Sequence, residues 1–304
     1  MNGQMNIFDY LCEPFKIQNK IRLIELFSGI GSQAASLKRI GADFEHWKAI
    51  EIDKYAMASY NAIHGTNFST IDIKDLKGSD LEIVNTESFT YLLTYSFPCT
   101  DLSVAGKMEG MKEGSGTRSS LLWEVKRLLN ECDNLPQVLV MENVPQVHGD
   151  NNLESFQNWI DFLNDKGYTS YWQDMNAKDY GVAQSRNRTI MVSLLGNYVY
   201  HFPEPIPLDK KMKDYLESDV DERYYLNNEK AKILIDKLIV DGKILTDRQT
   251  DRQTVDLCLK NPRTINTANC IKARYDDGIS NLQADGSGVC EISRLTSGGK
   301  RTEL

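Results

Sequence analysis

Apolar positions along the chain follow two rhythms. Ile21 to Phe27, Trp47 to Ile50, Tyr91 to Phe97, Pro136 to Met141, Tyr168 to Met175 and Thr189 to Leu194 are short apolar or alternating runs. Each predicts a strand, most of them buried. Between them, Gln33 to Ile40, Lys54 to His64, Arg118 to Asn130 and Leu153 to Lys166 repeat their apolar residues at helical spacing. The Arg118 helix carries Leu121, Leu122, Val125, Leu128 and Leu129 on one face, and Gly41 and Gly167 end two of the others. A further short strand is expected at Ser69 to Ile73. Strands alternating with helices predict an open α/β sheet.

The pattern changes at His201-Phe202-Pro203-Glu204-Pro205-Ile206-Pro207, where alternate prolines make a stiff linker. This places a domain boundary there, with domains at 1–200 and 201–304. Helices are expected at Lys210 to Glu217 and Glu229 to Val240. The duplicated Thr-Asp-Arg-Gln at 246–253 reads as a loop, being too short for a structural repeat. From Asn261 onward the chain is polar and glycine-rich, with short strands at best.

Chemistry-bearing residues gather at the ends of the predicted strands. The first strand runs into Ser28-Gly29-Ile30-Gly31-Ser32 and then a helix, the opening of a nucleotide-binding βαβ unit. Ala34 stands where a third glycine of the dinucleotide fingerprint would fall. The next strand ends in Glu51-Ile52-Asp53, about 20 residues on, where an acid can hold ribose hydroxyls. Asp72 brings another acid to a strand end, where it could meet an adenine amino group. The run at Tyr91 ends in Phe97-Pro98-Cys99: Phe97 is pushed to extended geometry by the following proline, and Pro98 aims the thiol. A lone cysteine more often packs as a small hydrophobe, so its neighbours decide its role. Glu142-Asn143-Val144-Pro145 repeats the arrangement at the end of the strand at 136–141. In an open α/β sheet both project into one crevice. Gly106 to Thr117 has no apolar period and reads as a mobile loop, a plain surface loop or a lid. Gln184, Arg186 and Arg188 alternate, so an extended chain would point all three to one side, as a solvated edge or a cationic wall.

Composition narrows the setting. With 304 residues, 41% hydrophobic and 26% charged, the chain is long enough for one large domain or two unequal ones of ordinary globular type. No apolar run approaches a membrane span, and Met1 to Lys20 lacks a signal-peptide layout. The six cysteines, at 12, 99, 132, 258, 270 and 290, form no Cys-x-x-Cys pair, so neither a metal site nor a disulfide framework is indicated. A reducing cytoplasm is the simplest location. The net charge of −8 argues mildly against nucleic acid, although phosphate contact needs only a local basic surface.

Taken in order, these motifs resemble the cytosine-C5 DNA methyltransferases over roughly Ile21 to Leu195. Phe97-Pro98-Cys99, Glu142-Asn143-Val144 and Gln184-Ser185-Arg186-Asn187-Arg188 are the specific pieces. The resemblance implies a Rossmann-like S-adenosylmethionine-dependent methyltransferase sheet with helices on both faces, plus a smaller, irregular, incomplete target-recognition domain. It implies S-adenosyl-L-methionine as cofactor, held by Phe27, Ser28, Gly29, Ile30, Gly31, Glu51, Ile52, Asp72, Ile73 and Pro98. It implies double-stranded DNA as partner, with the target cytosine flipped from the helix, as in restriction-modification enzymes. Cys99 would form a covalent adduct at cytosine C6, Glu142 would manage charge at N3, and Arg188, supported by Arg186, would hold O2. Arg118-Ser119-Ser120-Leu121 resembles the family's helix start. Thr100 departs from the family's usual glutamine. A tRNA cytosine-C5 methyltransferase is an alternative, but its Cys-Phe-Thr signature is absent. An idle DNA-binding relative is another, opposed by intact Cys99, Glu142 and Arg188.

The family's closing motifs, an Arg-x-Leu-Thr-Pro-Arg-Glu brace followed by Gly-Asn-Ser-Val, are not found. Ser293-Arg294-Leu295-Thr296 is the nearest approach and runs into Ser297-Gly298-Gly299. The expectation is a truncated or split enzyme, weak or inactive alone and restored by a complementary C-terminal fragment.

Overall fold

The computed structural model describes residues 13–99, 102, 110–217, 220–221, 229–244, 252–268 and 287–291. The chain divides into two units, one of residues 1–175 and 188–203, the other of residues 176–187 and 204–304.

The first unit is built on a six-stranded sheet of β1 (Ile21–Leu26), β2 (Phe44–Ile50), β3 (Thr90–Tyr95), β4 (Val138–Asn143), β5 (Tyr168–Asn176) and β6 (Asn187–Leu195), in the order β2-β1-β3-β4-β6-β5. The strands β2, β1, β3 and β4 run parallel, and β6 is antiparallel to β4. Leu26 lies level with Ile50 and Tyr95, and Tyr95 with Met141, so four carboxyl ends form one rim. The chain order reverses between β1 and β3, the point where open α/β sheets bind ligands.

Alternation along the strands builds a core on each face. Leu23, Leu92, Val138 and Val192 pack with Ala34 and Leu37 of helix α1 (Ser32–Arg39). Their neighbours Ile24, Leu93, Leu139 and Met191 join the opposite core. That core is covered by α3 (Leu122–Glu131) through Leu122, Val125, Leu128 and Leu129, and by α4 (Leu153–Asp165) through Phe156, Trp159 and Leu163. Helix α2 (Lys54–His64) follows β2, capped by Asp53 Oδ1, which accepts from Tyr55 N and Ala56 N. The fold is the expected methyltransferase-like sheet with helices on both faces.

In the second unit α5 (Glu229–Val240) packs Ala231, Leu234, Ile235 and Leu238 against Val255 of a small antiparallel sheet. Its strands β7 (Arg252–Asp256), β8 (Arg263–Thr264) and β9 (Ser287–Glu291) are ordered β8-β7-β9. No helix among the described residues is long and apolar enough to cross a membrane.

Several local expectations change. No strand forms at Ser69 to Ile73: Ile71 N donates to Glu51 O, and Asp72 instead caps a 3-10 turn at Ile73–Asp75. The Arg118 helix opens as a 3-10 turn at Arg118–Leu121 before α3. The segment Lys210 to Glu217 yields only a 3-10 turn at Met212–Tyr215. Arg252 and Gln253, read as loop, begin β7, whose backbone pairs on both sides despite its polar sequence. The loop at Gly106 to Thr117 is anchored at its described end. Met111 is fully buried, its carbonyl accepts from Trp123 Nε1, and Gly110 O accepts from Thr117 Oγ1. Residues 106–109, 246–251 and 293–299 lie outside the described residues.

Tyr95, the last residue of β3, is buried beneath α4, where its hydroxyl accepts from Trp159 Nε1 at 3.0 Å. Tyr95→Phe leaves that indole N–H unpaired in the core. The expected cost is about 1–3 kcal/mol, read as a lower midpoint in urea unfolding. An unchanged midpoint would mean that the bond adds nothing net.

Candidate active site

The glycine turn, Glu51, the Cys99 segment and Glu142 leave the rim from parallel strands. After β1, Phe27 takes φ 58°, a conformation that a residue with a side chain adopts at a cost. It turns the chain so that Ser28 N donates to Ile50 O at 3.0 Å. Gly29 follows with φ 54°, and its N–H donates to Glu51 Oε2 at 2.9 Å. Glu51 Oε1 accepts from Asp53 N, also at 2.9 Å. The carboxylate at the end of β2 is thus fixed by one N–H from the glycine turn and one from the chain just beyond Glu51. Lone pairs remain for a ligand's hydroxyls.

These residues border a cavity of about 570 Å3, lined by Phe27, Ile50, Glu51, Ile52, Ile71, Asp72, Ile73, Lys74, Ser96, Pro98, Arg118 and Leu121. Six expected cofactor residues are among them: Phe27, Glu51, Ile52, Asp72, Ile73 and Pro98. Ser28, Gly29, Ile30 and Gly31 do not line it. Ser28 is buried with no partner for its hydroxyl, and Ile30 is exposed. Asp72 reaches the cavity from a turn rather than from a strand end, with Oδ1 accepting from Lys74 N at 3.0 Å.

Beyond β3 the chain runs through Ser96, Phe97 and Pro98 to Cys99, a half-buried free thiol. Two buried side chains hold the carbonyls just before it. Asn143 Nδ2, at the end of β4, donates to Phe97 O at 3.0 Å. Ser119 Oγ, in the turn before α3, donates to Pro98 O at 2.8 Å. Asn143 is kept in this pose because its Oδ1 accepts from Val144 N at 2.8 Å. One residue earlier on β4, Glu142 Oε1 pairs with Arg188 Nε of β6 at 2.9 Å.

The structure therefore brings Glu142 and Arg188 together, and ties Cys99 to the same strand end through Asn143. Arg186 falls in the second unit, with its N–H on Asn176 Oδ1 at 3.0 Å. The row Gln184, Arg186, Arg188 is not one strand: β6 begins at Asn187, and Gln184 forms an isolated bridge with Ala268. Of the other cysteines with described side chains, Cys258 is buried, and burial pushes the Cys132 thiol up to about 11.

A family model described as C-5 cytosine-specific DNA methylase matches residues 21–295. The chain belongs to this family. Among curated relatives, it is 32% identical to the type II methyltransferase M2.ScrFI of Lactococcus lactis subsp. cremoris, over 68% of this chain and 71% of that protein. It is 39% identical to the orphan methyltransferase M.SssI of Spiroplasma monobiae, over 60% of this chain and 46% of that protein. The chain thus spans about half to seven-tenths of these relatives' length. Among solved structures, the Entamoeba histolytica methyltransferase EhMeth superposes with TM-score 0.58 at 20% identity, covering 73% of this chain and 67% of that one. The S. pombe Dnmt2 methyltransferase gives 0.54 at 22% identity, covering 69% and 63%. These two establish the fold.

S-adenosyl-L-methionine is the cofactor of this methylase family, and the cavity suits it. Glu51 and Asp72 offer acceptors for hydroxyl and amino donors, while Phe27, Ile52 and Leu121 offer apolar surface for a ring. Ser96, Lys74 and Arg118 join the lining without having been picked out as cofactor residues. Arg118 stood in the quoted helix start, but spacing alone could not bring it back beside Pro98.

Glu51→Ala removes a pre-oriented carboxylate from this cavity and frees Gly29 N. Affinity for S-adenosylmethionine is expected to fall by about 1.5–3 kcal/mol in calorimetry. Unchanged affinity would give Glu51 a purely structural role.

Proposed function

We propose that this chain methylates C5 of cytosine in double-stranded DNA through a covalent adduct between Cys99 and C6. The observation that carries the reading is the Asn143 side chain. It links the backbone leading to Cys99 with the strand end that bears the Glu142–Arg188 pair. A nucleophile, an acid and a cation are thereby held beside one rim, next to the cofactor cavity.

Carbon 5 of cytosine is a poor nucleophile. The Cys99 thiolate attacks C6, forming an S–C bond and moving the ring's π electrons to C5. Glu142 accepts from the ring amino group and carries the proton taken up at N3. Arg188 orients Glu142 and holds O2, where negative charge grows; Arg186 is its proposed support. Bound S-adenosylmethionine supplies an electrophilic methyl group on a sulfonium. After C5 has gained its methyl, a base removes the C5 proton, the double bond re-forms, the S–C6 bond breaks and the N3 proton returns to Glu142. A water is the proposed base. Stacked cytosine is out of reach of these groups, so the base must leave the duplex. The first unit is the proposed catalytic domain, and the second the proposed target-recognition domain.

Nucleoside mass spectrometry of DNA and of tRNA incubated with the chain and S-adenosylmethionine tests the reading. 5-Methylcytosine in DNA is expected. Its appearance only in tRNA would favour a tRNA methyltransferase, and its absence from both would overturn the proposal. Cys99→Ser should abolish transfer and leave cofactor affinity nearly intact, and DNA with 5-fluorocytosine should trap the wild type covalently at Cys99. Transfer by the serine variant at a near-normal rate would sink the covalent mechanism. Asn143→Leu is expected to slow transfer about 100-fold at unchanged cofactor affinity, the scale of a misplaced reactive group.

A further inference from the structure

The glycine turn after β1 is gripped from behind by a polar cluster that the reaction does not use. Glu25, wholly buried one residue before the end of β1, accepts from Tyr60 OH at 2.6 Å through Oε2. Through Oε1 it accepts at 3.2 Å from Ala34 N, in the first turn of α1. Burial raises its pKa, and both hydrogen bonds oppose that rise. Tyr60 OH also lies 2.8 Å from His46 Nδ1 on β2. A phenol has one proton, here donated to Glu25, so His46 Nδ1–H donates to Tyr60.

His64, one turn along α2 from Tyr60, places Nε2 at 3.1 Å from Ile30 O. A carbonyl only accepts, so this nitrogen carries a proton. The rings of Tyr60 and His64 stand 4.7 Å apart, and they occupy the space beside Gly31. A Cβ there would lie 2.3 Å from His64 Nε2 and 2.7 Å from Tyr60 Cε2. Gly31 also has φ 82°, which disfavours any side chain.

Three consecutive residues of the turn are thus held by other elements. Glu51 takes Gly29 N, His64 takes Ile30 O, and the α2 rings press on Gly31. None of the three lines the cavity, so the grip reaches it through Phe27 and Glu51, the turn's neighbours that do. We infer that Tyr60 and His64 are positioning residues for cofactor binding, setting the glycine turn so that Phe27 and Glu51 face the adenosine. The assignment rests on the cofactor reading of the cavity.

Calorimetry with S-adenosylmethionine tests it on four proteins: wild type, Tyr60→Phe, His64→Leu and His64→Gln. Tyr60→Phe keeps the ring and loses both hydrogen bonds. His64→Leu loses the donor to Ile30 O, whereas His64→Gln retains an amide donor. Affinity is expected to fall about tenfold for Tyr60→Phe and for His64→Leu, and to stay within about twofold of wild type for His64→Gln. Alkylation of Cys99 by iodoacetamide should proceed at the wild-type rate in all four. Wild-type affinity in both Tyr60→Phe and His64→Leu would overturn the inference. So would equal loss in His64→Leu and His64→Gln, which would mark a packing role alone. An absence of binding by the wild type would overturn the cofactor reading itself, and this inference with it.

Discussion

Parallel register is the constraint on which the site depends. Because β1, β2, β3 and β4 run the same way and end level, one rim receives the glycine turn, Glu51, the Cys99 segment and Glu142. Had β4 run antiparallel to β3, Glu142 and Asn143 would stand at the opposite edge, and no loop could return them. The crossovers that parallel strands need also supply the helices that bury both faces.

The rim itself is organised by side chains that bind backbone. Asn143 and Ser119 take two successive carbonyls ahead of Cys99, and Glu51 takes two amides. Each bond satisfies a main-chain group that an irregular segment would otherwise leave unpaired. Irregular backbone is therefore stable here without becoming a strand or a helix. That freedom lets Phe27 hold a positive φ and lets Pro98 carry its neighbour to the cavity edge. Glu142 and Arg188, by contrast, meet as charge on charge, each still partly open to solvent, where a substrate could compete for them.

Much of this was legible in the sequence because local signals agreed. The bounds of α2 follow from Asp53 as its cap and Gly65, with φ 68°, as its stop. The strand ends were legible because apolar runs break sharply at Glu51, Pro98 and Glu142. Legibility failed where pairing depends on distant partners. Ser69 to Ile73 alternates like a strand yet finds only one backbone bond to the end of β2, while polar β7 is a strand because β8 and β9 flank it. The Ser119 clamp on Pro98 joins residues 21 apart, a closure set by how α3 packs on the sheet. Glu25 interrupts an apolar run, and nothing local in the sequence accounts for it. Its partner Tyr60, 35 residues away, gives it a place in the core.

The space at Gly31 has a consequence for substitution. Its missing side chain is filled by two rings from another helix, so positions 31, 60 and 64 form one packing unit. A mutation that adds a methyl group at 31 meets both rings at once, and shrinking either ring alone leaves the other in place. Moving the rings aside withdraws the donors to Glu25 and Ile30. What position 31 tolerates is therefore set by residues behind the turn, even though it contributes no atom to the cavity wall.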